Sequence, residues 1–366
     1  MNNQNNLLKG QNSNLTFGFL DDDKSYPAWN LQPKYWEFPK NYSNEKDLSI
    51  NISDDGPIFT TLEIKKTIGL SPVIQRITLF KESSGVYFDY FTNWKEENVM
   101  LKILYNTNTQ ASEVAADGMY CTNFSSTQPE TPSDKARYEK ICHKFFDLST
   151  PGKEWGLALI NEGKYAFDVK NDEMRLTMLR CCKYPDPSPE AWVNKEREIN
   201  EKKFNHYPPK LSGLGPLKCR YLLFPHNGGT LLNKDDSINI SVKRKSEEFN
   251  NPVLLFPLKN NQDQSWPQTF KSFLNIVPQN VILAALKKEE WKEDNNYIIR
   301  FVEICGKASE VGIKFNSMIC DKILNIESID LLERNIQESF KWNSEERSLK
   351  FNINGFEIRS FKLNLY

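Results

Sequence analysis

The chain has 366 residues, 39% of them hydrophobic, and a formal net charge of −1. That length can bury a large core and predicts two domains, while the near-zero charge excludes a partner gathered by bulk electrostatics, nucleic acid above all. No run approaches 18 apolar residues, so no membrane span is expected, and the 16 glycines form no phosphate-cradling loop.

Residues 1–14 (MNNQNNLLKGQNSN) are polar, lack apolar periodicity and read as disordered. They carry neither the basic region nor the apolar run of a signal peptide. The seven cysteines contain no C-x-x-C. An odd count without such a pair points to buried thiols in a reducing, cytoplasmic setting. Residues 15–50 form an aromatic, Pro-punctuated segment leading into the β region, with Phe17, Phe19, Tyr26, Trp29, Tyr35, Trp36 and Phe38 among Pro27, Pro33 and Pro39. So many rings on extended chain require something to dock on.

A large β domain is expected over 51–250. Leu62, Ile64 and Ile68 share one parity, as do Val73, Ile77 and Leu79 in VIQRITLFK. VYFDYFTNW and VMLKILY follow after Ser/Gly punctuation, and the four runs predict one antiparallel sheet. SDKARYEKICHKFFDL (133–148) fits either a capped helical turn or a strand. From Asp147 to Pro187 three strands are read in series: GLALIN (156–161), KYAFDV (164–169) and MRLTMLR (174–180). Glu162-Gly163 and Lys170-Asn171-Asp172 supply turn chemistry between them. A helical insertion over 188–205 follows, with Ser188 as N-cap and Pro189 at the first helical position. LKCRYLLFPH is the next strand, then SINISVKR and PVLLFPL as two short ones. Asn260 to Gln264 reads as a linker, and residues 266–366 as a smaller domain of alternating strands.

The search for chemistry on these residues identifies no active site. The three histidines, His143, His206 and His226, have no second ligand at metal spacing. No G-x-S-x-G nucleophile turn occurs. Of Cys181-Cys182 at a strand end, one must face inward as a structural thiol. A glycosidase needs only two facing carboxylates. Asp134, Glu139, Asp168 and Asp186 are in irregular positions, but each is better read as a turn or hydrogen-bonding residue.

The order of short motifs is more specific. Asp147-Leu148-Ser149, Gly156 to Asn161, Lys164-Tyr165, Asp168-Val169, Met174 to Arg180 and Pro185-Asp186-Pro187 resemble, in sequence, the C-terminal half of family 38 glycoside hydrolases, the zinc-dependent α-mannosidases. Ala28-Trp29-Asn30, ARYE (136–139), CRYLLFPH and FEIRSFKL extend the resemblance over nearly the whole chain. It implies a mostly β protein: a large antiparallel β-sandwich of the galactose-mutarotase-like supersandwich kind, then a smaller C-terminal β-sandwich. In that family the zinc ligands and aspartate nucleophile belong to an N-terminal β/α barrel, which these motifs follow. The resemblance therefore assigns this chain no catalytic residue and no cofactor. It implies zinc held by a separately encoded barrel as partner, α-mannosides as ligands, and Arg137, His143, Tyr184 and Asp186 as sugar-proximal residues. The alternatives are a catalytically inactive remnant, a stand-alone carbohydrate-binding module, or an enzyme working through a carboxylate pair not evident in sequence.

Overall fold

A computed structural model describes residues 7–22, 27–40, 46–183, 211–254, 272–291, 296–316 and 323–365. Tyr184, Pro185-Asp186-Pro187, the helical insertion expected over 188–205 and the linker at 260–264 lie outside them. The chain divides into two compact units. The first comprises 1–117, 124–234 and 241–251, and the second 118–123, 235–240 and 252–366. The second unit thus takes two short pieces from within the stretch that sequence assigned to the large sandwich.

In the first unit the strands are β1 (Leu8–Leu20), β2 (Pro39–Lys40), β3 (Lys46–Asp55), β4 (Phe59–Ile68), β5 (Ser71–Phe80), β6 (Val86–Trp94), β7 (Val99–Thr107), β8 (Glu113–Asp117), β9 (Thr122–Ser126, whose first two residues belong to the second unit), β10 (Lys140–Ile141), β11 (Phe145–Ser149), β12 (Trp155–Asn161), β13 (Ala166–Lys170), β14 (Glu173–Cys181) and β15 (Gly215–Asn227). A six-stranded sheet has the order β10-β13-β14-β7-β1-β2, and a nine-stranded sheet the order β3-β4-β5-β6-β15-β12-β11-β8-β9. Alternate residues of both meet in one core, including Phe88, Tyr90, Leu101, Ile103, Tyr105, Leu157, Phe167, Leu176 and Tyr221. Phe146 stacks on Phe167 at 4.3 Å and Phe88 on Tyr221 at 4.7 Å, the offset geometry that aromatic pairs prefer.

This architecture corrects several expectations. The three strands read between 156 and 180 do not form one sheet. β12 lies in the nine-stranded sheet, β13 and β14 in the six-stranded one. Glu162-Gly163 therefore begins a crossover between layers, and only the Lys170-Asn171-Asp172 turn joins a hairpin, with Asn171 at φ 54°. Likewise β4, β5 and β6 pair in series, but VMLKILY, as β7, pairs with β1 and β14 in the opposite layer. Parity locates strands; it is blind to which layer each joins.

Residues 7–14 are not disordered, because β1 begins at Leu8 and pairs with β7 through bulges. Asn14 exchanges amide bonds with buried Gln75 at 3.0 and 2.9 Å, and Tyr105 donates to it at 3.1 Å. The polar side chain of Asn14 is thus satisfied within the fold. SINISVKR is also not a strand. A helix runs over Ser241–Asn250, after a four-residue turn of helix α1 (Pro132–Lys135) earlier in the chain, and is labelled α2. Its Val242 packs among Phe145, Ala158, Ile160 and Leu222 on the outer face of the nine-stranded sheet, with Phe249 beside them. The 133–148 stretch resolves as α1, then β10 and β11. Thr131 caps α1 through the Asp134 N–H at 3.1 Å. Cys181 and Cys182 are both buried. Burial pushes the Cys181 thiol up, and Cys219 to about 12.

The second unit contains β16 (Leu274–Val277), β17 (Val281–Lys288), β18 (Asn296–Glu303), β19 (Ser309–Phe315), β20 (Ile323–Ile329), β21 (Phe340–Asn343), β22 (Ser348–Ile353) and β23 (Ile358–Leu365). They form two four-stranded sheets, β16-β19-β22-β21 and β17-β18-β23-β20. Phe301, Phe351 and Phe361 lead the core between them. Ile238 and Ile240 cover the back of the second sheet at Val302 and Ile304.

A buried ion pair locks the outer face of the nine-stranded sheet. His226 Nε2 lies 2.9 Å from Asp147 Oδ1, while Ser149 and Thr230 donate to Oδ2 at 2.8 and 2.5 Å. Gly156 is opposite His226 in register. A Cβ there would sit 2.4 Å from Nε2, so the ring's approach requires glycine. Burial alone would lower the His226 pKa, but the Asp147 charge and hydrogen bond outweigh it and raise it. Burial would raise Asp147, yet His226, Thr230 and Ser149 hold it below its ordinary range. A raised histidine gives stability that is complete below its unfolded pKa and is lost as pH rises through the folded one; a lowered aspartate gives stability lost as pH falls. The pair should therefore contribute most between about pH 4 and 6.5. His226→Leu should cost about 3–5 kcal/mol there. The gap to wild type in urea unfolding should narrow towards pH 9; a gap of constant size from pH 5.5 to 9 would refute this account.

Candidate functional site

The residues with the densest unexplained chemistry lie on the outer face of the six-stranded sheet. β7 is buried on both faces. Leu101, Ile103 and Tyr105 point into the sandwich core, so Met100, Lys102 and Leu104 point away from it, and all three are buried too. The cover is the 27–40 segment. Its 3-10 turn, Tyr35–Glu37, drops Tyr35 onto Phe19 and Met100. Arg180 holds the start of this segment by a two-pronged pair to Asp21 at 2.7 and 2.8 Å, and donates to the carbonyls of Pro27 and Asn30 at 3.0 and 2.7 Å.

Lys102 is fully buried. A lone ammonium there would be prohibitively unstable, so it must be paired. Sheet register supplies the partners. Thr177 is opposite Lys102, and Asp168 is opposite Arg175 on the next strand pair. Lys102 donates to Asp168 Oδ1 at 2.7 Å and also to Glu139 Oε1. Arg175 pairs with Asp168 Oδ2 at 2.7 Å, and Thr177 donates to Glu139 Oε2 at 2.7 Å. The Tyr35 hydroxyl lies 2.7 Å from Asp168 Oδ1 and 2.9 Å from Glu139 Oε1. Burial, then the Asp168 and Glu139 charges, drive its pKa far above the phenol range, so it stays protonated and serves as donor.

Two carboxylates thus converge, as a glycosidase requires, but nothing can pass between them. Lys102 Nζ and Tyr35 Oη occupy the space where a sugar oxygen or water would sit. The cluster is an anchor for the 27–40 segment. Beside it the surface opens into a groove of about 630 Å³ lined by Trp36, Asn106, Lys170, Asp172, Glu173 and Arg175. Lys170 Nζ lies 5.6 Å from the Trp36 ring centre, and Tyr138 packs on the same ring at 5.3 Å. Burial raises the Glu173 pKa. An indole flanked by amide, carboxylate and cationic groups can offer a sugar both a stacking face and hydroxyl partners.

The site residues read from sequence fare unevenly. Arg137 follows α1 with an exposed side chain 3.9 Å from Asp134. His143 is half-buried, with Nδ1 3.7 Å from Asp117 and its ring 6.2 Å from Tyr165. No contact between described residues joins the two. Asp134 serves its own turn, whereas Glu139 and Asp168 meet at Lys102. Sequence reading missed Lys102, Tyr35, Trp36 and Arg175 as a group. The signal was present in VMLKILY, a lysine amid a strand apolar on both faces. Zinc finds no fit here: among the described residues, no three or more His, Cys, Asp or Glu side chains group as metal ligands, and His226 and His143 face different carboxylates.

Because removal of one partner from a buried network strands the others, Lys102→Met should destabilise the first unit by about 3–5 kcal/mol. Tyr35→Phe should cost about 1–2 kcal/mol, and the double variant should show a coupling of at least about 0.5 kcal/mol. Urea unfolding checks all three; a Lys102→Met variant within about 0.5 kcal/mol of wild type would contradict the anchor.

Comparison with known proteins now has a structure to refer to. The model of the "Glycosyl hydrolases family 38 C-terminal domain" matches residues 1–188, and that of the family 38 "C-terminal beta sandwich domain" matches 280–361. α-Mannosidase G of Dictyostelium discoideum is 26% identical over 339 residues, covering 88% of this chain and 27% of its own length. Human α-mannosidase 2C1 is 24% identical, covering 95% and 30%. The fold superposes on the crystal structure of an α-mannosidase from Enterococcus faecalis with a TM-score of 0.67 at 14% identity, over 98% of this chain and 38% of that one. The chain spans under a third of the length of these curated relatives. It belongs to glycoside hydrolase family 38, whose C-terminal β-sandwich region it represents.

Proposed function

We propose that this chain is the structural and sugar-facing part of an α-mannosidase, acting together with the catalytic barrel of such an enzyme. The observation that carries this is the match of residues 1–188 and 280–361 to the C-terminal domains of glycoside hydrolase family 38, in line with the likeness to α-mannosidases. The filled carboxylate pair supports it, since Glu139 and Asp168 are engaged by Lys102 and Tyr35. Zinc and the nucleophile would then belong to the barrel, and α-mannosides to the assembled site. Mannose or glycan turnover in the cytoplasm is the setting this reading implies. Among the described residues, no helix is long and apolar enough to cross a membrane.

A second reading, a carbohydrate-binding module without catalysis, is favoured by the Trp36 groove. The experiment for the first is co-expression of this chain with the part of the Dictyostelium α-mannosidase G polypeptide that it does not match. Zinc-dependent hydrolysis of an aryl α-mannoside should require both chains; activity of this chain alone, or none from a stable pair, would overturn it. For the second, calorimetry with mannose oligosaccharides should give heat that Trp36→Ala removes by at least about tenfold in affinity, the scale of one lost aromatic stacking partner. Equal heats for the two proteins would remove the groove from consideration.

A further inference from the structure

The nine-stranded sheet ends in β3, whose outer edge has no neighbouring strand among the described residues. Register places Ile50 opposite Ile64, Ile52 opposite Leu62, Leu62 opposite Ile77, and Ile77 opposite Phe88. Residues opposite one another point to the same face. Ile77 and Phe88 belong to the core, so this is the core-facing side of the sheet, continued onto β3. There it loses its cover: Leu48, Ile50 and Ile52 are 52%, 56% and 64% exposed, and Leu79 is 55% exposed. The opposite face of the same strands mixes paired charge with two part-exposed rings, Phe59 and Phe80, which pack on each other at 5.6 Å. Glu63 pairs with Lys65 at 2.8 Å and with Arg76 at 2.9 Å, and Arg76 lies over Phe91. Charge at Asp47, Asp54 and Asp55 and two register shifts against β4 blunt the ends of β3, which leaves Leu48, Ile50 and Ile52 between them as an exposed apolar row.

We infer that the apolar overhang of β3, β4 and β5 is the surface on which the catalytic portion of the α-mannosidase docks, laying an apolar face across Leu48, Ile50, Ile52 and Leu79 and closing the free edge of β3. This rests on the function proposed above and names its interface. The occupant follows from two observations. The fold is shared with a solved α-mannosidase over only 38% of that chain, so well over half of such a polypeptide remains to be placed against it. And the exposed row Leu48, Ile50, Ile52 and Leu79 continues a core-facing side, which calls for protein, not solvent or a charged ligand.

The test uses the full chain co-expressed with the unmatched part of the Dictyostelium enzyme, compared with Ile50→Lys/Ile52→Lys. These side chains are exposed, so the chain alone should keep its circular dichroism and melting temperature. Expected are retention of the partner by wild type, loss of at least tenfold in the double variant, and at least tenfold slower amide exchange over residues 47–55 in the wild-type complex than in the chain alone. The exchange measurement stands even where the variant misfolds. An active complex in which 47–55 exchange at unchanged rates, or which the variant retains, overturns this interface and leaves the proposed function intact. Failure of wild type to associate overturns both. Concentration-dependent protection of 47–55 in the chain alone, with dimers in sedimentation, assigns the face to a second copy and overturns the partner named here.

Discussion

Lys102 is the constraint from which the first unit's arrangement follows. Its strand is covered on both sides, so its ammonium has no water and depends wholly on Asp168 and Glu139. Those partners come from β13 and from the turn after α1, elements separated from β7 in sequence but adjacent in the sheet. Tyr35 completes the set and brings the 27–40 segment with it, so that Phe19, Met100, Leu31, Trp36 and Tyr138 become a small core outside the main one. The apolar contacts contribute burial; the ion network decides register. A sliding of β13 by one residue would turn Asp168 to the other face and leave the ammonium unpaired.

The two sheets are thus finished by different devices. The six-stranded sheet folds its own chain over its back. The nine-stranded sheet carries α2 on its back, tied by Lys144 to Glu247 at 2.7 Å and by Lys243 to Asp117 at 2.5 Å, with the His226–Asp147 pair beyond. Every one of these closures uses a charge that is paired within the chain. Among the described residues the β3–β5 overhang has no closure of this kind on its core-facing side, and that contrast gives its exposure significance: isolated surface leucines are ordinary, a continuous extension of a core face is not.

The strands themselves were legible in the sequence because side chains alternate with period two, and VIQRITLFK, VYFDYFTNW and SLKFNI show it directly. Layer membership was not, since a strand in either sheet carries the same pattern; GLALIN and KYAFDV look like a hairpin and lie in opposite layers. SINISVKR was misread because its three alternating apolar residues, Ile238, Ile240 and Val242, are too few to separate a strand from the first turn of α2, whose signal lies further on, at Ser246 and Phe249. The polar 7–14 stretch hid a strand because Asn14 is hydrogen-bonded by Gln75, Tyr105 and Tyr221. The site was half legible. Glu139 and Asp168 were recognisable as carboxylates in unusual places, but their meeting depends on contacts 37 and 66 residues from Lys102, which no local pattern encodes. The motif order, by contrast, identified the family without any of this geometry.

The same geometry shows why Glu139 and Asp168 cannot work as a glycosidase pair. A retaining pair of carboxylates stands roughly 5 Å apart with the sugar between them, and an inverting pair further still to admit water. Glu139 and Asp168 instead share one ammonium and one phenol, both buried, and each remaining oxygen is taken by Arg175 or Thr177. Freeing them for acid–base work would mean removing Lys102, which leaves two carboxylates facing Tyr35 without a counter-charge, and would release the segment that carries Trp36 to the groove. What makes the pair a good anchor therefore disqualifies it as a catalyst, and it ties the Trp36 ring to the stability of the sheet beneath.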